Sequence, residues 1–208
     1  MLNIIAKFHK IQVQDGVKVW YREAGSAENP TILLLHGFPT SSNMFRNLIP
    51  LLSTHFLVIA PDLPGFGFTE TPDNYMFSFD TLSESVGYFL GALRIKKCCI
   101  YIFDYGSPVG FRLALKHPSK ITGIITQNGN AYEEGLDDRF WGPLKKYWKS
   151  YQNDPVFIEA LVSYVRDPAN VISQYHDGVA DIESVDPAGY TLDIALIQRS
   201  GQTDIQVK

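Results

Sequence analysis

The run Cys98-Cys99-Ile100-Tyr101-Ile102-Phe103-Asp104-Tyr105-Gly106-Ser107-Pro108-Val109-Gly110-Phe111 restricts the fold of this chain more than any other stretch. A β-prone segment ends at Phe103, Gly106 and Pro108 follow at once, and helical spacing then resumes. The backbone must leave a strand, reverse sharply and restart as a helix preset by proline near its first turn. Asp104 stands at the apex of that turn. An aspartate presented there attacks carbon directly and leaves an ester, whereas a serine in the same place performs acyl transfer.

The flanking segments decide what kind of sheet contains this turn. Thr31 to His36 is a continuous apolar run followed by glycine and proline, the pattern of a strand buried on both faces of a parallel sheet. Phe56 to Ala60 and Ile121 to Thr126 read as further strands, and Val13-Gln14 with Val17 to Tyr21 read as a β-hairpin around Asp15-Gly16. Helices are predicted over Ser41 to Leu52, capped by Ser41 or Ser42, over Ser78 to Leu93, and over Pro108 to Lys116. Strands alternating with helices predict a doubly wound, mostly parallel α/β sheet over residues 1–130.

Beyond Asn130 the strand signals stop. Leu136 to Tyr151, Pro155 to Arg166, Pro168 to Tyr175 and Pro187 to Arg199 read as helices, and Asp154, Asp167 and Asp186 precede three of the prolines as N-cap candidates. Residues 131–208 are therefore expected to form a helical cap inserted into the fold. The net charge of -4, with acids and bases interspersed, supplies no basic stripe for nucleic acid. The segment Met1 to Lys10 carries Lys7, His9 and Lys10 and matches neither a signal peptide nor a spanning helix. Cys98 and Cys99 lie side by side in an expected buried strand, which suits a reducing compartment. The chain is read as soluble and cytoplasmic, with neither nucleic acid nor membrane as partner.

Three motifs follow in order: His36-Gly37-Phe38-Pro39 after one strand, Asp62-Leu63-Pro64-Gly65-Phe66-Gly67 after the next, and the Asp104 turn. Together they resemble an α/β-hydrolase with an Asp nucleophile, of the epoxide hydrolase and haloalkane dehalogenase group, closest to microbial soluble epoxide hydrolases. That resemblance implies a helical cap after the sixth strand, a small-molecule substrate, and neither cofactor nor metal. It implies that Asp104 is the nucleophile, in a turn of the type that holds the nucleophile of such hydrolases, and that the backbone amides of Phe38 and Tyr105 form the oxyanion hole. His36 is read as an orienting residue of the pocket rather than as the base, and Trp141 and Trp148 as pocket lining. Tyr151 is the expected acid that protonates the opened epoxide oxygen, with Tyr147 one helical turn away as its substitute. Ile102 departs from the small residue that serine hydrolases prefer at that position of the turn.

Dehalogenases of this group resemble the same pattern but carry a tryptophan after the nucleophile and often an asparagine in the His-Gly loop. Tyr105 and Phe38 occupy those places, and a phenylalanine side chain donates no hydrogen bond to a leaving halide. Epoxide opening is preferred on this ground, with dehalogenation as the alternative. The histidines after Asp104, His117 and His176, are read as a helix C-terminal residue and a cap residue. By resemblance, the base histidine, its relay acid and two more strands are expected beyond Lys208, so the chain is read as truncated. It would then form the ester and stall, and the sixth strand would be an open apolar edge. A third reading is a ligand-binding relative that has lost turnover.

Overall fold

The structure, a computed structural model, describes residues 6–150 and 154–207. It divides into two compact units, Met1–Ala131 and Tyr132–Lys208.

The first unit is built on a six-stranded sheet. Its strands are β1 (Lys7–Gln12), β2 (Lys18–Ala24), β3 (Thr31–Leu35), β4 (Leu57–Pro61), β5 (Cys98–Phe103) and β6 (Ile121–Gln127). They lie in the order β1-β2-β4-β3-β5-β6. β1 and β2 are antiparallel additions to β4, and β4, β3, β5 and β6 run parallel. Residues 32–35 of β3 are all buried, and they alternate between two cores. Leu33 and Leu35 join the cluster containing Phe89, Ile100, Ile102 and Leu113, while Ile32 and Leu34 join Phe45, Ile49 and Val58. A strand clothed on both faces needs apolar side chains at every position, hence the unbroken run.

The helices follow from their caps. Ser78 accepts from the amide of Thr81, and the Thr81 side chain returns a bond to the Ser78 amide, starting α2 (Phe79–Ala92). The helix after the β5 turn, α3 (Gly106–Lys116), starts before Pro108 and ends with His117 at its C-cap. The expected helix from Ser41 to Leu52 is split into a 3-10 turn, Ser42–Phe45, with Ser41 as cap, and a short α-helix, α1 (Leu48–Leu52). Pro50 explains the break: it has no N–H to bond to the Arg46 carbonyl and its ring would strike that carbonyl, so it is accommodated only in a first turn. The opening hairpin is also displaced from expectation. Its first strand is the polar segment Lys7–Gln12, and Val13 to Val17 close the turn. At the other edge of the sheet, Ile124 and Ile125 of β6 are 44% and 47% exposed.

The second unit is helical: α4 (Asp138–Lys149), α5 (Pro155–Arg166), α6 (Pro168–His176), α7 (Pro187–Ile197) and α8 (Gln202–Gln206). The side chains of Asp154, Asp167 and Asp186 each accept a backbone N–H at the start of the helix that follows. Val165, Val171, Leu196 and Ile197 are buried among these helices, and buried Asp193 accepts from the Tyr175 hydroxyl at 2.6 Å. The closing helix α8, entered through Gly201 in the left-handed region, carries no strong sequence signal and was not expected. No described helix is long and apolar enough to cross a membrane.

Candidate active site

Asp104 occupies the left-handed region at φ +47°, a conformation that costs most side chains and that aspartate tolerates better than most. The turn can be this tight because its neighbours are small. A methyl group on Gly106 would lie 2.4 Å from the Leu35 carbonyl oxygen, and one on Gly37 would lie 2.6 Å from the Asp104 Cβ. Ile102, the bulky departure in the turn, is matched by Gly110 on α3, where a Cβ would stand 2.4 Å from the Ile102 Cγ2. Small size is needed on one side of this contact, and the helix supplies it.

Two backbone amides converge on one carboxylate oxygen. The N–H of Phe38 donates to Asp104 Oδ1 at 2.9 Å, across 66 residues of sequence, and the N–H of Tyr105 donates to the same oxygen at 2.6 Å. Side chains of the same two residues form an aromatic wall: the Tyr105 ring packs against Phe38, Phe66 and Phe79, with centroids 5.5, 5.9 and 4.9 Å away. Burial, assisted by the Asp104 charge, pushes the Tyr105 phenol up to about 12, so it keeps its proton.

His36 is fully buried. Its Nε2 accepts the Leu63 N–H at 2.9 Å and its Nδ1 lies 2.8 Å from the Gly37 carbonyl oxygen. An amide can only donate, so Nε2 carries the lone pair and Nδ1 the proton. Burial holds His36 below the ordinary histidine value, opposed in part by Asp62, by the Gly37 carbonyl and by Asp104.

The Asp62 loop is a structural knot next to this ring. Buried Asp62 accepts the Ser42 N–H on Oδ1 and the Phe68 N–H on Oδ2, each at 2.8 Å, and its carbonyl accepts from the Thr69 hydroxyl at 2.7 Å. Gly67 at φ +56° fits because a Cβ there would fall 1.9 Å from the Asp62 carboxylate. Phe79, at the start of α2, and Thr69, just beyond the Pro-Gly-Phe-Gly pattern, escape sequence reading, since neither belongs to a motif.

The remaining predicted residues belong to the helical unit. Trp141 and Trp148 lie on α4 with ring centroids 6.0 Å apart. Tyr147 is buried and stacked on Phe157 at 4.9 Å, while Tyr151 lies outside the described residues. His176 ends α6 with its ring edge-on to Tyr190. Among the described residues no group of three or more His, Cys, Asp or Glu could hold a metal ion.

The family model for the alpha/beta hydrolase fold matches residues 30–206. An uncharacterized hydrolase of Saccharomyces cerevisiae is 80% identical over 208 residues, which are 100% of this chain and 72% of that protein. A haloalkane dehalogenase of Mesorhizobium japonicum is 42% identical over 174 residues, 78% of this chain and 54% of that protein. The chain thus spans little more than half the length of that second relative. Among solved structures, a haloalkane dehalogenase loop variant from Bradyrhizobium elkanii superposes with a TM-score of 0.78 at 20% identity, over 97% of this chain and 67% of that one. With the sheet order, the turn and the matched span in agreement, the chain belongs to the alpha/beta hydrolase fold family.

Proposed function

We propose that this hydrolase opens a small apolar epoxide through an ester on Asp104. Asp104 Oδ2 attacks a ring carbon, the C–O bond breaks, and the released oxygen takes a proton, for which Tyr151 is the proposed donor. Water then adds to the ester carbonyl, and the diol leaves with the carboxylate restored. The observation that carries this reading is the double hydrogen bond to Asp104 Oδ1 from Phe38 and Tyr105. Fixing one oxygen leaves the other to attack, and the fixed one becomes the ester carbonyl oxygen. When water adds, the negative charge develops where the two donors already point, an arrangement in which one donor is worth about 10²–10³ in rate.

Ester breakdown needs a base. Neither His117 at the far end of α3 from Asp104 nor His176 on α6 is proposed for that role. Trp141 and Trp148 complete the proposal as apolar lining. Dehalogenation is the second reading, favoured by the name carried by the Mesorhizobium relative. It uses the same carboxylate with a halide as leaving group.

The test is intact-mass measurement after incubation with a reactive epoxide or a haloalkane of similar size. One covalent adduct from the epoxide, absent in Asp104→Asn, is the expected result. An adduct accompanied by halide release from the haloalkane alone would transfer the assignment to dehalogenation. A folded protein that binds either compound saturably and forms no adduct would instead be a ligand-binding relative.

A further inference from the structure

Five hydrogen bonds run head to tail through the sheet unit and end on Asp104. The Trp20 N–H donates to Thr69 Oγ1 at 3.0 Å, and the Thr69 hydroxyl donates to the Asp62 carbonyl at 2.7 Å. The other end of that peptide unit, the Leu63 N–H, donates to His36 Nε2 at 2.9 Å. The His36 Nδ1–H donates to the Gly37 carbonyl at 2.8 Å, and the other end of that peptide unit, the Phe38 N–H, donates to Asp104 Oδ1 at 2.9 Å. Each link accepts at one end and donates at the other. Every dipole in the series therefore points its positive end toward the carboxylate, and aligned bonds in a low-dielectric interior polarise one another.

The order of the series matters. A carbonyl that accepts a hydrogen bond makes its own peptide N–H a stronger donor and fixes the plane in which that N–H points. The imidazole passes the alignment on only as the neutral Nδ1–H form, which the Leu63 amide enforces from behind. Asp62 keeps the relevant peptide from turning, because its carboxylate is tied to Ser42 and to Phe68. The second donor to Asp104 Oδ1, the Tyr105 N–H, sits outside this series.

We propose that Thr69 is a remote positioning residue for the Phe38 donor, acting through Asp62, Leu63, His36 and Gly37 on the oxygen of Asp104 that becomes the oxyanion. The assignment of catalytic meaning rests on the reading of Asp104 as nucleophile; the hydrogen-bond series does not. Thr69→Val keeps the shape and removes the hydroxyl, and Thr69→Ser keeps the hydroxyl.

Amide proton exchange and the amide proton shifts of Phe38 and Tyr105 provide the test. In Thr69→Val the Phe38 amide should exchange about threefold to tenfold faster relative to Tyr105, the range expected for weakening one hydrogen bond, and its proton should move upfield. Thr69→Ser should restore both. Equal acceleration at Phe38 and Tyr105 would indicate general loosening and overturn the proposal, as would an unchanged Phe38 signal. Should Thr69→Val fail to fold, the ring nitrogen shifts of His36 in the unaltered protein decide the matter. An unprotonated Nε2 at neutral pH supports the series, and a protonated Nε2 breaks it in the middle.

Ester lifetime separates the two readings. With Asp104 as nucleophile, Thr69→Val lengthens the life of the ester and leaves its rate of formation unchanged, whereas loss of folded protein would slow formation as well. The exchange pattern without any ester in the unaltered protein would remove the catalytic reading and keep the positioning one.

Discussion

Replacing Gly37 by alanine tests the geometry of the site at its tightest point. Its φ lies outside the left-handed region, so the substitution tests space alone. The new methyl would meet the Asp104 Cβ at 2.6 Å, Asp104 Oδ1 at 2.9 Å and the Phe103 Cδ1 at 2.9 Å. Carbon atoms in good contact stand about 3.5–4.0 Å apart, so the shortfall is roughly 1 Å. The Phe103 ring can swing aside. The Asp104 Cβ cannot, because it is fixed to a turn whose backbone is pressed against Leu35 through Gly106. The His-Gly loop must therefore retreat by about an ångström, and the 2.9 Å bond from the Phe38 N–H opens beyond hydrogen-bonding range.

Two consequences follow, and they can be measured apart. Crowding a packed contact costs about 1–3 kcal/mol, read as a lower urea midpoint at unchanged slope. Loss of one oxyanion donor slows ester breakdown by about 10²–10³, while ester formation, which requires only the free oxygen of Asp104, changes far less. The assay is a denaturation curve together with the time course of adduct mass after a pulse of reactive epoxide. A variant with the midpoint of the unaltered protein and an unchanged Phe38 amide shift would refute the close approach on which this reasoning depends. A variant in which formation and breakdown slow equally would refute the division of labour between the two oxygens.

Three further outcomes are expected. His36 is held below its ordinary value, so between that value and the folded one the unfolded chain binds a proton that the folded chain refuses; stability is full above about pH 6.5 and falls by about 1.4 kcal/mol per pH unit below it. Asp62 and Asp104 face the ring and narrow this window without reversing it. Urea midpoints at about pH 7.5 and about pH 5.5 should diverge, and His36→Asn should remove most of the difference; an equal divergence in that variant would assign it elsewhere. Glu70 and Asp138, held low by Lys10 and Lys145, lose their contribution only as pH falls below the usual carboxylate range. At the β6 edge, Ile125→Lys should reduce light scattering at high concentration while changing stability by no more than about 0.5 kcal/mol. Unchanged scattering would show that this edge does not drive association.

Several elements are legible in the sequence because their causes are local. A strand, a turn and a helix at residues 98–116 follow from β-prone residues, Gly106 and Pro108 within a few positions of one another. The three Asp-Pro steps start helices because the carboxylate reaches an amide two or three residues on. Where the reading failed, the deciding contact was distant or the signal weak. Lys7–Gln12 is polar and becomes a strand by pairing with β2, and α8 has no strong signal of its own; the interruption at Pro50 is the exception, since its cause, the Arg46 carbonyl, lies only four residues away.

By itself, the sequence determined that a carboxylate would stand on a sharp turn between a buried strand and a helix, and that helices would replace strands after residue 130. Only the tertiary structure decided what that carboxylate meets. Sheet order places β3 between β4 and β5, which brings the loop after β3 against the turn after β5 on one side and against the Asp62 loop on the other. Phe38 thereby reaches Asp104, and His36 becomes a buried link between two peptide units. Propensity and capping act over a few residues, whereas the Leu63–His36 and Phe38–Asp104 bonds join residues 27 and 66 positions apart. Their partners are set by which strands lie side by side, a property that no periodicity in the chain encodes.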